Sequence, residues 1–215
     1  MIVFGVILRF TKTNGLKGSG NVLLGLGFIF LGIAYMKDGF DVMKESIDLA
    51  SFAMEGYLGI IIYILIGIFV TVVIQSSAAT LAIVITALNA DSISYLNALA
   101  LAIGANVGTT LTAILASFTS NENGKRVAFV HFIFNIISAV FVTIFIFQFQ
   151  ILVDFLSPYL GISNNNYGMK LALFHTMFSA VGIILLTPFI KQLVSISEKL
   201  IKKKVSAASK PKYLL

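Results

Sequence analysis

The sequence contains no cysteine, which excludes disulfide bonds and thiolate metal sites and leaves the redox compartment undetermined. Charged side chains are also scarce, at 11% of the 215 residues, whereas a soluble domain has about 25%. Asp91 is the only charged residue in 57–120, and Asp154 is the only one in 128–168. So few charges cannot cover a surface that faces water. The composition therefore predicts an all-α, polytopic membrane protein in contact with a lipid bilayer.

The amino terminus lacks the pattern of a secretory signal. Arg9, Lys12 and Lys17 follow the apolar residues 1–8 instead of preceding them. Eight helical residues extend over about 12 Å, less than half of the hydrocarbon core of a bilayer. This segment is not expected to span a membrane alone, and we interpret it as the tail of a helix whose beginning is missing.

The net charge of +6 comes largely from the carboxy-terminal end. Seven lysines and one glutamate lie in the last 25 residues: Lys191, Lys199, Lys202, Lys203, Lys204, Lys210, Lys212 and Glu198. A basic tail can indicate nucleic-acid binding, but beside an apolar helix it is typical of a cytoplasmic flank. We therefore expect a multi-pass protein of the plasma membrane with a cytoplasmic tail and no nucleic-acid partner.

The pattern of apolar and polar stretches divides the chain into five segments. A helix end with a glycine-rich loop at Lys12–Gly20 is predicted first, then a transmembrane helix in which Gly25, Gly27 and Gly32 allow close helix packing. An amphipathic helix at 37–56 follows, lying along the interface or packed on another part of the protein. A core of short segments, two long helices (127–151 and 171–190) and the tail complete the order. The boundaries are 1–20, 21–56, 57–120, 121–190 and 191–215.

A short internal similarity links the two long helices. Residues 126–134 (RVAFVHFIF) and 170–178 (KLALFHTMF) each begin with a base and carry an alanine, a histidine and a phenylalanine at matching positions. Transporter halves contain such repeats, although two helix starts could also match by chance. The sequence leaves both readings open.

Two polar clusters interrupt the apolar core segment. They read QSSAAT at 75–80 and GANVGTT at 104–110, and Asp91 is interpreted as part of a turn between them. Unsatisfied polar groups within a bilayer cost several kcal/mol each, so such clusters persist where protein or a water-filled cavity satisfies them. A helix broken at each cluster would present N–H groups to an anion and carbonyls to a cation. The alternative is that the serines and threonines pack helices together.

These clusters resemble the paired signatures of the type II sodium/phosphate cotransporter family, usually QSSSAT and GANIGTTxT. The resemblance continues through Lys125-Arg126 and residues 131–135 (HFIFN), where the family has R-A-x-x-H-x-x-F-N, and through residues 175–178 (HTMF). Upstream it includes the glycine-rich run that ends at Met36. It thus covers roughly residues 20 to 190.

The resemblance implies sodium-dependent transport of inorganic phosphate through re-entrant, broken-helix hairpins in an inverted-repeat fold. Phosphate and Na⁺ are then expected to bind Gln75, Ser76, Ser77, Thr80, Asn106, Gly108, Thr109, Thr110 and Thr112. Among these, Ser76, Ser77 and Thr110 are the candidate Na⁺ ligands. Neither cluster contains arginine, so hydroxyls, amides and N–H groups would hold the phosphate. Na⁺ is the coupling ion, and no cofactor is expected.

Two departures from the family pattern affect the interpretation. Ala78 replaces the third serine, so one hydroxyl is absent. The family carries two such repeats, whereas this chain has one, and it is expected to be the carboxy-terminal half of a transporter. It could pair with a separately encoded half, pair with another copy of itself, or be inactive alone.

His131 and His175 are further candidates for proton transfer or phosphate binding, because titratable groups inside membranes are often functional. A structural hydrogen bond is the favoured interpretation of both. The chain is not expected to be an enzyme, because neither cluster contains a general base to activate Ser76 or Ser77 as a nucleophile. An accessory membrane subunit and an intramembrane serine hydrolase are the alternatives to transport.

Overall fold

The computed structural model describes residues 1–46 and 56–202, and within 40–46 it describes side chains only at Phe40 and Val42. In these ranges the chain forms helices and no strand. The helices are α1 (Ile2–Arg9), α2 (Asn14–Ser46), α3 (Gly56–Ile74), α4 (Ser77–Asn89), α5 (Tyr95–Ser117), α6 (Glu122–Ile144), α7 (Ile146–Leu156), α8 (Tyr167–Leu186) and α9 (Ile190–Leu200). Short 3₁₀ turns follow α7 and α8.

Five stretches in the described part of the chain are long and apolar enough to cross a membrane. They are Asn14–Phe40, Gly56–Ile74, Tyr95–Ser117, Glu122–Ile144 and Tyr167–Leu200. The protein is therefore an all-helical, multi-pass membrane protein, as its composition predicts.

The helices group into two compact units, and α4 contributes to both. The first unit contains 1–53 and 82–94. Within it, α1 packs closely on α2 at glycines: a Cβ on Gly20 would lie 2.8 Å from the carbonyl oxygen of Gly5, and a Cβ on Gly27 would collide with Ile2. The same unit contains the turn at Asp91, whose φ of 52° confirms it as a turn residue.

The predicted loop at Lys12–Gly20 is wrong, because α2 begins at Asn14. At Gly20 the missing side chain permits contact with α1 and does not break the helix. The predicted boundary near Lys37 between two helices is also absent, since α2 continues to Ser46. The remainder of the predicted amphipathic helix, from residue 47 to 55, lies outside the described residues.

Other glycines of α2 have no neighbour in the described part of the chain. Gly18, Gly25, Gly32 and Gly39 follow one another at seven-residue steps, and a Cβ added to any of them would meet no atom within 4 Å. Of the three glycines predicted to admit a neighbouring helix, Gly27 does so and Gly25 and Gly32 do not.

The second unit contains 54–81 and 95–215, and its centre is the contact between α3 and α5. A Cβ on Gly67 would collide with the carbonyl oxygen of Leu101, and one on Gly104 with that of Ile64. A Cβ on Gly108 would lie 2.7 Å from the Cβ of Thr71. These glycines bring the two backbones into contact. Gly104 meets Ile64 and Ile68, whereas Gly108 meets Ile68 and Thr71, so α3 and α5 run parallel.

The predicted interruption of the helix at GANVGTT is wrong. The cluster lies inside α5, which is continuous over 23 residues and therefore about 34 Å long. Gly104 and Gly108 suggested a loosened helix, but the structure uses both positions for packing on α3. The serines and threonines of membrane helices can bond to their own preceding turn, so a polar cluster does not by itself break a helix.

The two long carboxy-terminal helices are each divided near their ends. The first bends at Phe145, between α6 and α7, and the second at the turn Thr187–Phe189, which contains Pro188, between α8 and α9. Proline lacks a backbone donor and explains the second break. The sequence predicted that this helix ends at residue 190, whereas the 11-residue helix α9 continues from Ile190 to Leu200.

Two ion pairs connect these helices. Arg126 lies 3.6 Å from Glu198 and also donates from Nε to the backbone carbonyl of Ile201, at 3.0 Å. Lys170 lies 2.7 Å from Asp154, and its side chain is almost completely buried. The first pair joins the start of α6 to the end of α9, and the second joins the start of α8 to the end of α7.

Replacing Asp154 with asparagine is expected to destabilise the protein by about 1–3 kcal/mol. The substitution leaves the ammonium group of Lys170, 5% exposed, without its counterion. Removing one partner of a fully buried pair costs about 3–5 kcal/mol, and the 44% exposure of the Asp154 side chain reduces that value. Circular dichroism during thermal unfolding in detergent measures the change.

The matched control is Glu198→Gln in the more exposed pair, with an expected cost under about 1 kcal/mol. Equal losses from both substitutions would show that burial of Lys170 does not set the strength of its pair.

Candidate functional site

The QSSAAT cluster is the point at which the helix breaks. The preceding helix α3 ends at Ile74, Gln75 adopts a left-handed conformation with φ of 58°, and α4 begins at Ser77. The hydroxyl of Ser76 accepts a hydrogen bond of 3.2 Å from the backbone N–H of Ala79. Ser76 is therefore the amino-terminal cap of α4, a position at which serine is strongly preferred.

A buried hydrogen-bond chain folds the start of α4 back on α3. Thr71 donates from its hydroxyl to the hydroxyl of Thr80 at 3.0 Å, and Thr80 donates to the backbone carbonyl of Ser76 at 3.1 Å. Both threonine side chains are buried. In a continuous helix these two residues, nine positions apart, would be separated by about 13 Å along the axis. Their contact therefore shows that the chain reverses at Gln75-Ser76.

Thr71 is a site residue that sequence reasoning missed. It precedes Gln75 by one helical turn, and its methyl group lies against Gly108 of the other cluster. A single threonine in an apolar helix is an ordinary packing residue, which is why it did not stand out. Its position one helical turn before the polar cluster is the sequence feature that could have identified it as a site residue.

The break places the carboxyl end of one helix next to the amino end of another. The last carbonyls of α3 and the first N–H groups of α4 have no partner within their own helices, and they carry partial charges of opposite sign. Ser76 and Ser77 are partly exposed and Gln75 is exposed beside them. The break can thus offer N–H and hydroxyl donors to an anion and carbonyl and hydroxyl oxygens to a cation.

The second cluster divides between two faces of α5. At 100° per residue, Gly108 and Thr112 share the face that packs on α3, whereas Asn106 and Thr110 point to the opposite face. The structure therefore brings Gly108 close to Thr71 but does not gather all the predicted ligands into one group.

The threonine hydroxyls of α5 bond to the helix that carries them. The acceptors are the carbonyls of Ala105 for Thr109 (2.9 Å), of Val107 for Thr110 (2.6 Å) and of Thr109 for Thr112 (2.7 Å). Thr110 is fully buried, and the other two are partly exposed. Their oxygen lone pairs remain available to a ligand, but their protons are already used.

Asn106 and His175 form a hydrogen bond between α5 and α8. The imidazole Nε2 lies 3.0 Å from the amide Oδ1, and the amide Nδ2 donates to the carbonyl of Ala102 at 3.1 Å. With the amide in this orientation, Nε2 is the donor. His175 thus makes the structural hydrogen bond predicted for it. His131 does not: its imidazole is exposed and has no hydrogen-bond partner among the described residues.

Residues 60–184 match the family described as Na⁺/Pi-cotransporter. This range is more than half of the chain and contains both polar clusters and both histidines. The chain belongs to this family. The match confirms the resemblance carried by QSSAAT and GANVGTT.

Three relatives of this cotransporter family member illustrate the similarity. The uncharacterized protein YqeW of Bacillus subtilis (strain 168) is 30% identical over 95 residues, which are 44% of this chain and 31% of the relative. Sodium-dependent phosphate transport protein 2C of Homo sapiens is 36% identical over 85 residues, 38% of this chain and 14% of the relative. Sodium-dependent phosphate transport protein 2B of Rattus norvegicus is 38% identical over 87 residues, which are 39% of this chain and 12% of the relative.

The matched segment is thus less than a third of the length of each relative. No solved structure shows significant similarity to the chain. In this family member the break at Gln75-Ser76, the helix α5 and the hydrogen bond between Asn106 and His175 all lie within the matched range.

Proposed function

We propose that this chain forms one half of a transporter that moves inorganic phosphate across the plasma membrane together with Na⁺. The observation that carries the proposal is the helix break at QSSAAT, one of the two segments that resemble the family signatures. Two relatives are named sodium-dependent phosphate transport proteins.

Phosphate would bind at the amino end of α4. The N–H groups of its first turn and the side chains of Gln75, Ser76 and Ser77 supply donors, and the helix dipole favours negative charge there. Thr71 and Thr80 hold this end in place through their buried hydrogen bonds. Ala78 contributes no hydroxyl, so the site has one donor fewer than the family pattern.

Na⁺ would bind at the carboxyl end of α3. Hard cations prefer oxygen ligands, and the last carbonyls of α3 with the hydroxyls of Ser76 and Ser77 provide them. Thr109 and Thr112 would brace the site from α5 or complete it. Asn106 and Thr110 lie on the face of α5 that is turned away from α3, where Asn106 bonds to His175 and Thr110 is buried, so in this conformation neither reaches the ions.

The second half would be a separately encoded chain or a second copy. Coupling of the two ions follows if phosphate binds well only when Na⁺ reduces its repulsion with the nearby carbonyls. The basic end of the chain would face the cytoplasm, because positive flanks resist translocation.

Uptake of radiolabelled phosphate into vesicles tests the proposal. The chain is reconstituted alone and together with a separately expressed segment of a family protein that contains a QSSS signature, with an inward gradient of either Na⁺ or K⁺. Na⁺-dependent uptake by the chain alone indicates a self-sufficient transporter, and uptake only with the second segment indicates a split one. No uptake in any arm contradicts the proposal and favours the accessory subunit.

A serine hydrolase is poorly supported by the same geometry. In the described part of the chain no histidine, lysine or aspartate is hydrogen-bonded to the hydroxyl of Ser76, which instead accepts from the N–H of Ala79. A nucleophilic serine needs a base within hydrogen-bond reach.

A further inference from the structure

The similarity between residues 126–134 and 170–178 extends through both helix breaks. Threonine, phenylalanine and isoleucine recur at the same spacing at each break, in Thr143, Phe145 and Ile146 and in Thr187, Phe189 and Ile190. Each break is followed by an 11-residue helix. The ninth residue of α7 is Asp154, and the ninth residue of α9 is Glu198. The match is therefore not confined to the two helix starts, because it recurs at the breaks and near the ends of both segments.

The ion pairs relate the two segments reciprocally. Arg126 of the first binds Glu198 of the second, while Lys170 of the second binds Asp154 of the first, and these are corresponding bases and corresponding acids. In a two-fold symmetric pair, if residue i of one segment contacts residue j of the other, the residue equivalent to i also contacts the residue equivalent to j. Because each start lies beside the other's end, the α6–α7 and α8–α9 segments form an antiparallel, internally duplicated pair.

Helix α5 covers one side of this pair. It contacts α8 at two points: the rings of Tyr95 and Tyr167 lie 5.3 Å apart, and Asn106 meets His175. Tyr167, at the end of this contact, is 42% exposed and His175 is partly exposed. Between them Leu171 is only 1% exposed, and Ile146 of α7 is fully buried.

The equivalent strip on the other segment is open. Tyr167 and His175 correspond to Asn123 and His131, and both of these line an apolar groove of about 640 Å³ between α6 and α9. The residue that corresponds to Leu171 is Val127, at 69% exposure, and the one that corresponds to Ile146 is Ile190, at 56%. The groove therefore occupies, on α6, the place that α5 occupies on α8.

We propose that this groove receives an apolar, small-residue helix from a separately encoded second half of the transporter, with a hydrogen-bonding side chain opposite His131. This inference rests on the proposed function, which requires a second half. Two observations favour a helix as the occupant: the corresponding strip of α8 is covered by one, and His131 has no partner in the described part of the chain. The matched relatives are also longer than this chain.

Site-directed photo-crosslinking in membranes tests the inference. A benzophenone amino acid is placed at Val130, in the groove, or at Ile184, an exposed control residue of α8 that does not line the groove. The chain is co-expressed with the family segment used in the uptake assay, and crosslinked peptides are identified by mass spectrometry. We expect a crosslink from Val130 to one helix of that segment, and at least about tenfold less from Ile184.

Crosslinks from Val130 to lipid alone, to residues 203–215, or to a second copy of the chain would overturn the inference, as would equal crosslinking from Ile184. A second variant, His131→Leu, is expected to reduce the Val130 crosslink without changing the thermal unfolding of the chain alone. A crosslinked helix without phosphate uptake would refute the proposed function and leave the groove assignment standing. Phosphate uptake without the crosslink would support the proposed function and overturn the groove assignment.

Discussion

Replacing Ser76 with alanine is expected to reduce Na⁺-dependent phosphate uptake at least about tenfold. The hydroxyl caps α4 by accepting from the N–H of Ala79, and loss of such a cap costs about 0.5–2 kcal/mol. In the proposed site the same hydroxyl also binds an ion, and a hydrogen bond to a charged group contributes about 1.5–3 kcal/mol. Since about 1.4 kcal/mol corresponds to a factor of ten, the second loss alone gives the expected reduction. Initial uptake rates measure the effect.

Two further variants separate the capping role of Ser76 from ion binding. Ser76→Asn keeps a good capping side chain, so it should preserve the thermal unfolding temperature while uptake still falls. Ser117→Ala removes a hydroxyl that bonds within α5 to the carbonyl of Ile114 and should leave uptake near its original rate. If Ser76→Asn transported as well as the unmodified chain, Ser76 would be a cap alone.

Replacing Gly104 with valine is expected to destabilise the fold by about 3 kcal/mol or more. A Cβ at this position would collide with the carbonyl oxygen of Ile64 and lie 2.9 Å from the backbone nitrogen of Ile68. Overpacking in a core typically costs about 1–3 kcal/mol, and here the obstacle is backbone, which cannot rotate away as a side chain can. Thermal unfolding followed by circular dichroism in detergent measures the loss.

The matched control for this packing prediction is Gly25→Val in α2. A Cβ at Gly25 meets no atom within 4 Å among the described residues, so the variant should unfold close to the temperature of the unmodified protein. Equal losses from the two substitutions would contradict close packing of α3 on α5. They would point instead to a general cost of valine in these helices.

The contrast between the two polar clusters shows what sequence can and cannot predict. At QSSAAT the polar side chains coincide with the break, because Ser76 caps a new helix and Gln75 adopts the left-handed turn. At GANVGTT the glycines indicated another break, yet α5 is continuous there. A glycine loosens a helix in isolation, but in a membrane it also permits contact between backbones. Which effect prevails depends on the neighbouring helix, and that neighbour is not visible in the sequence.

The contacts that organise the site are between residues distant in the chain. The hydrogen bond from His175 to Asn106 spans 69 residues, and the contact of Thr71 with Gly108 joins two different helices. Composition and motif spacing predicted the membrane class, the family and the position of the break. They could not predict which face of α5 each ligand candidate occupies, because that requires the register between helices.

The internal duplication became clear from structure and sequence together. The matching starts of α6 and α8 were ambiguous alone. The two acids that complete the pattern, Asp154 and Glu198, each lie more than one helix further along the chain than the base that begins their own segment, Arg126 or Lys170. The reciprocal ion pairs favour duplication over a chance match. They also identify the groove beside His131 as the counterpart of a surface that α5 already covers.

Hydrogen exchange on the chain reconstituted with the family segment used in the uptake assay, with and without Na⁺ and phosphate, tests the central claim most directly. That claim is that the backbone N–H groups at the start of α4 bind the anion. The amide of Ala79 already donates to the hydroxyl of Ser76. The claim therefore predicts slower exchange of the amides of residues 76–78 when both ions are present, and little change with K⁺ and phosphate. Unchanged exchange at these amides at saturating phosphate and Na⁺, or slower exchange confined to other helices, would contradict it.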